Sequence, residues 1–101
     1  LILEAYRVTK FLPETERYGL ISQIRRASIS IHLNIAKGST RKSKADCKRF
    51  FEISRGSLIE VDTAIGVAFD RDFLTIEQIS ILGENIVNTF KVLTGLISSQ
   101  E

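Results

Sequence analysis

The chain has 101 residues, a mass of 11.4 kDa and a formal net charge of +2, which is one domain's worth and enough for one hydrophobic core. A 44% hydrophobic share argues against a disordered chain, and a 26% charged share argues against a membrane-embedded one. One Cys excludes an intrachain disulfide, and one His alongside it excludes Cys/His zinc spacing.

The first element runs from Leu1 to about Leu12. Leu1, Ala5, Val8 and Leu12 recur at spacings of 4, 3 and 4, one face of a helix. Pro13 ends it, because the residue before a proline avoids the helical region. The chain has no Met and begins at Leu1, so further N-terminal turns are expected ahead of it.

A second helix starts at Glu14-Thr15-Glu16, whose carboxylates suit a positive N-terminal end. It runs to about Lys37, with Gly38 as its C′ stop. Leu20, Ile24, Ala27, Ile31 and Ile35 form its stripe. Residues 28–35 also alternate as a strand would. One strand in a helical chain would leave its backbone groups unpaired, so helix is the reading. Ile29 and Leu33 lie opposite the main stripe, and both faces of this helix are expected to be buried.

Ser43 and Asp46 have capping-box spacing, with Asp in place of the commoner Glu. Behind them Cys47, Phe51, Ser54, Leu58, Val61, Ile65 and Ala68 alternate at 4 and 3, a seam of the kind that packs in a left-handed bundle. Gly56 sits inside this helix, and close approach of a neighbouring helix is its expected reason. Thr75 and Gln78 form a second capping box, followed by the stripe Ile79, Leu82, Ile86, Phe90, Leu93 and Ile97. The sum is an all-α, antiparallel up-and-down four-helix bundle spanning 1–101 as one domain.

Catalytic apparatus is sparse. The only His is His32, so the paired Glu-x-x-His ligands of a di-metal bundle are missing. The run Gly38-Ser-Thr-Arg-Lys-Ser43 lacks the glycine spacing of a phosphate-binding loop, since Leu33 stands five residues before Gly38 and Ser39 follows it. Cys47 lies on the core seam and reads as a buried thiol. Glu14/Glu16 and Asp70/Asp72 sit beside helix ends and read as caps or solvated groups rather than as a general acid and base. The expectation is a protein that is not an enzyme and takes no metal or cofactor.

Charge is distributed unevenly. Residues 17–55 hold ten basic side chains against two acidic ones, or +8, and the remainder holds four against ten, or −6. Such polarity either attracts an anionic partner or separates two solvated faces. Arg41, Lys44, Lys48 and Arg55 fall within about 60° on a helical projection, if the third helix reaches back to Arg41. Lys42 and Arg49 adjoin this ridge, and Arg25 lies on the second helix. A ridge of this kind suits a phosphate backbone. Phe50 and Phe51 read as core rather than as stacking platforms.

A polar stripe, Gln23, Arg26, Ser30, Asn34 and Lys37, flanks the apolar stripe of the second helix. Glu60 is the candidate partner of Arg26. The stripe reads either as a ligand site or as a hydrogen-bonded network fixing helix register, and the network is favoured because buried polar groups need partners.

Three runs occur together: Gln23-x-x-Arg26-Ala27, Ser30-Ile31-x-x-Asn34-Ile35-Ala36 and Arg55-Gly56-Ser57-x-x-Glu60. With them the chain, over nearly its whole length, resembles the bacterial four-helix-bundle family first known from proteins encoded in intervening sequences of 23S rRNA genes. The resemblance implies a left-handed up-and-down bundle that assembles as a homopentameric ring, and it too makes residues 28–35 helical. The accessory proteins of diversity-generating retroelements, which bind nucleic acid and a reverse transcriptase, resemble the chain more distantly. Three positions depart from the family pattern: His32 replaces a common Pro, Leu33 a small residue and Lys37 a common Glu. Loss of the Pro implies a straighter second helix, and Lys37 adds to the basic side.

The leading functional expectation is a cytoplasmic, homo-oligomeric bundle that binds RNA or DNA through Arg41, Lys44, Lys48 and Arg55, assisted by Arg25, Lys42 and Arg49. The alternative is a scaffold for a protein partner, motivated by the apolar residues Ile29, Leu33 and Ile53 off the main stripes. No membrane role is expected, since no apolar run approaches the roughly 20 residues that span a bilayer.

Overall fold

A computed structural model describes residues Leu1–Glu101. Four helices form and no strand does: α1 (Ile2–Thr9), α2 (Ser22–Ser39), α3 (Lys44–Asp70) and α4 (Ile76–Ser98). Each packs on its chain neighbour, and α1 also packs on α4, closing the up-and-down bundle. At 1.5 Å per residue α3 is about 40 Å long and spans nearly the full 43 Å of the molecule. Helix also holds through residues 28–35.

The first connection departs from the sequence reading. α1 ends at Thr9, and three tighter bonds carry the chain to Pro13: Lys10 N to Arg7 O, Phe11 N to Val8 O and Leu12 N to Thr9 O, at 3.2, 3.1 and 3.1 Å. The segment from Glu14 is not yet α2. It forms a 3₁₀ turn over Glu14–Glu16, then a wide π turn over Arg17–Ile21 in which Gly19 leaves helical geometry at φ −106°, ψ −108°. The Glu16 carboxylate accepts from Leu20 N at 3.3 Å and supports that bend.

The seam of α3 is buried from Phe51 to Ala68, with Cys47 half-buried at its start. It meets Ile24, Ala27 and Ile31 of α2 and Leu82, Ile86, Leu93 and Ile97 of α4 in one cluster, joined by Ala5, Val8 and Leu12. Phe90 leaves the α4 stripe and stands 43% exposed. Ile29 and Leu33 are 38% and 55% exposed, so in the single chain α2 buries one face only.

Both proposed N-caps of α3 and α4 form. Thr75 accepts from Gln78 N while Gln78 Oε1 accepts from Thr75 N, a complete capping box. Ser43 accepts from Asp46 N at 3.1 Å, but the Asp46 carboxylate turns to Arg49 instead of returning to Ser43. α3 ends with Asp72 at φ 61°, Phe73 N bonded to Ala68 O and Asp72 N to Phe69 O, both at 3.0 Å. This is a Schellman stop with Asp in the position glycine usually fills.

Gly38 is not the stop of α2. The helix continues through it to Ser39, and no glycine in the chain has positive φ. Gly38 is buried where α2 meets α3: a Cβ there would lie 2.6 Å from Phe51 Cε1 and 3.2 Å from Cys47 O. The close approach expected at Gly56 is therefore found at Gly38, and a Cβ on Gly56 would meet nothing within 4 Å.

Candidate nucleic-acid interface

α3 begins at Lys44, because Ser43 is extended at φ −92°, ψ 146°. Arg41 therefore lies outside the helix, and the straight ridge from Arg41 to Arg55 does not form. Instead the cations divide between the two flanks of α3. On the flank facing α2, Phe50 is half-buried and gathers three of them. Arg49 and Arg41 lie 4.4 and 4.6 Å from its ring centroid, and Lys37 of α2 lies 6.0 Å away. On the flank facing α4, Lys48 pairs with Glu101 at 3.3 Å and Arg55 lies over Phe90 at 5.8 Å.

The local sequence explains the division. Phe51 occupies the core position, 3% exposed. Phe50, one residue earlier, is rotated about 100° from it and reaches the edge of the α2–α3 interface. A phenyl ring at such an edge has a face that water solvates poorly and a cation occupies well, worth about 0.5–1 kcal/mol when exposed. Lys37 arrives from the last turn of α2 and Arg41 from the link at 40–43. Cys47 helps hold that link, its Sγ donating to Arg41 O at 3.4 Å.

Arg41, Lys42, Lys44 and Arg55 make no ion pair, and Arg49 makes only a long one, 3.9 Å to Asp46. The α2–α3 corner thus gathers Lys37, Arg41 and Arg49 around one aromatic ring, with the long Asp46 contact as their one ion pair, while Lys44 shares the azimuth of Lys48 and Arg55 on the other flank. Phe50 and Lys37 are the two members that the helical projection of α3 missed. Lys37 is on another helix, and Phe50 sits beside a seam residue of the same type.

Arg25 does not join this patch. It is twelve residues before Lys37 on α2, about 18 Å along the axis, with its Nε bonded to Thr9 Oγ1 at 2.9 Å. The polar stripe of α2 divides among several partners. Ser30 Oγ meets Ser57 Oγ at 2.9 Å, and Asn34 Nδ2 donates to Ser30 O and Oγ at 2.9 and 3.1 Å. Glu60 accepts from Gln23 Nε2 at 3.0 Å rather than from Arg26, which is exposed. The Ser30–Ser57 and Gln23–Glu60 bonds, with Ser54 Oγ donating to Ile31 O at 2.7 Å, lace α2 to α3.

No group of three His, Cys, Asp or Glu side chains comes together as a metal site. No helix is long and apolar enough to cross a membrane. Comparison with curated proteins gives no match. The four-helix architecture and the runs on α2 and α3 agree with what a family comparison finds: the model of the 23S rRNA-intervening sequence protein matches residues 1–95, and the chain belongs to that family.

Proposed function

We propose that this protein is a homo-oligomeric helical bundle, acting without catalysis, that binds RNA or DNA at the α2–α3 corner. The observation that carries the reading is the cation cluster on Phe50. Arg41 and Arg49 over the ring, 4.6 and 4.4 Å away, keep their guanidinium groups ordered while the N–H edges remain available to phosphate oxygens. Lys37, 6.0 Å from the same ring, adds charge beside them, and Lys42 follows Arg41 in the link. Lys44, Lys48 and Arg55, on the other flank of α3, would make a second, separate phosphate contact. A ring of subunits would repeat the corner and multiply individually weak contacts.

Fluorescence anisotropy with labelled rRNA fragments tests this. Binding at low salt that weakens as salt rises is expected, and Arg41→Gln/Arg49→Gln should weaken it. Phe50→Leu, which changes no charge, should also weaken it by loosening both arginines. An absence of binding at low salt, or binding indifferent to salt, would sink the reading.

A second reading is an interaction scaffold, with a protein partner or further copies of the chain seated on the outer face of α2 and α3. Ile29, Leu33 and Ile53, at 38%, 55% and 43% exposure, favour it. The homopentamer is the form of self-association proposed. Light scattering after size exclusion checks it: a pentamer mass that Leu33→Glu reduces is the expected result, and a monomer at all concentrations contradicts it.

A further inference from the structure

Four cations line one cleft at the end of α2 remote from Phe50. Lys10, Arg17, Arg25 and Arg26 surround a cavity of about 450 Å³ between the end of α1, the turns after Pro13 and the first turns of α2, with Ser22 in its wall. Glu14 is the single carboxylate of the lining, and it is already paired with Arg17 at 3.1 Å. Lys10, Arg25 and Arg26 make no ion pair. Four cations against one carboxylate leave the cleft with an excess of three positive charges.

Arg25 is held in a fixed pose there. Its Nε donates to Thr9 Oγ1 at 2.9 Å, and that buried hydroxyl donates onward to Tyr6 O at 2.7 Å. The hydroxyl's one proton is therefore committed, and a lone pair faces Arg25. The guanidinium also lies over the Tyr6 ring, 4.6 Å from its centroid. Its two terminal nitrogens find no acceptor in the chain and are not sealed from solvent. A guanidinium fixed on one edge and one face, with its terminal fork free, is a preorganised receptor for two oxygens of an oxyanion.

We propose that this cleft binds the di- or triphosphate group of a small molecule such as a nucleoside diphosphate. Arg25 is the bidentate anchor, and Lys10 and Arg26 are the flanking charges. The volume lies within the range of small-molecule sites, roughly 300–1,000 Å³. Only two of the nine lining residues are apolar, which suits a polyanion and not an apolar ligand. The charge excess matches a pyrophosphate group better than a single carboxylate. The site is separate from the corner at Phe50 and stands whether or not that corner binds nucleic acid.

A titration of ¹⁵N-labelled full chain with inorganic pyrophosphate, at constant ionic strength held with sodium chloride, tests the proposal. Amide shifts confined to Lys10, Ser22 and the first turns of α2 are expected. Lys10→Gln/Arg26→Gln removes two exposed, unpaired charges and leaves the Arg25–Thr9–Tyr6 contacts intact. It should weaken binding at least about tenfold with no change in thermal midpoint. Arg25→Lys, which keeps the charge and loses the fork, should weaken it similarly. Arg41→Gln/Arg49→Gln should leave it unchanged. No shifts at about 1 mM pyrophosphate, shifts reproduced by sodium chloride alone, or an affinity insensitive to Lys10→Gln/Arg26→Gln would each overturn the proposal.

Discussion

Gly38 and Gly56 both stand inside helices, yet their surroundings are opposite. At Gly38 a methyl group would press into the Phe51 ring and toward a backbone oxygen, at 2.6 and 3.2 Å. Gly38→Ala is therefore expected to lower stability by about 1–3 kcal/mol, the cost of overpacking. At Gly56 the same change meets open space and should raise stability by roughly 0.5–1 kcal/mol through helix propensity and reduced freedom of the unfolded chain. Urea denaturation of the two variants checks both signs. In sequence the two residues look alike, and the more terminal one resembles a stop signal. What separates them is the neighbour across the interface, which helical spacing does not encode. Asp72 makes a complementary case. It holds a left-handed pose at φ 61° that glycine takes freely. Asp72→Gly should stabilise the α3 stop by about 0.5–1 kcal/mol, read as an upward shift of the denaturation midpoint.

At the scale of elements, the long seams and their caps were legible and the short connections were not. The seam of α3 follows from spacing alone because seven residues agree on one azimuth, and Thr75 with Gln78 announces α4 by a side-chain exchange that both residue types favour. Asp46 shows the limit of such a motif. It has the right spacing but a side chain one methylene too short to return to Ser43, and it pairs with Arg49 at 3.9 Å instead. Asp46→Glu is expected to complete the box and add about 0.5 kcal/mol, measurable by the same denaturation. The segment from Glu14 to Ile21 reads as helix from its residue types. Pro13 and Gly19 instead let the chain change direction through two non-α turns, so that α2 starts only at Ser22. The candidate site was legible in part for the same reason. Lysines and arginines of α3 could be projected, but Arg41 is not on the helix, and the ring that collects it is on a different azimuth from the ridge.

For the whole molecule, a modest net charge of +2 hides two separate cationic regions, one at the Phe50 corner and one at the Arg25 cleft. If about three phosphates are neutralised per subunit at the corner, affinity for single-stranded RNA should fall roughly 20-fold between about 50 and 200 mM salt, from a slope near −0.7 per phosphate. Anisotropy at several salt concentrations gives the slope, and Arg41→Gln/Arg49→Gln should flatten it by about 1 to 2. The unequal lengths of the four helices have a consequence of another kind. α2 and α3 form the largest interface in the bundle, laced by Ser30, Ser54 and Ser57, and only residues 40–43 separate them in sequence. α1 has eight residues, too few to persist alone. Its link to α4, Arg7 Nη2 to Gln78 O at 2.9 Å, closes a separation of 71 residues. Local contacts form early and distant ones cost more loop closure. The α2–α3 hairpin is thus expected to be the first part to assemble and α1 the last, with α1 the first to open again. Native-state hydrogen exchange should find the slowest amides between Ile24 and Ile31 and on the facing turns of α3, and the fastest helical amides in α1. Equal protection across all four helices would contradict that order. The same fraying would carry away Tyr6 and Thr9, the two supports of Arg25, so the cleft would come and go with the least persistent helix of the bundle while the Phe50 corner sits on the most persistent pair.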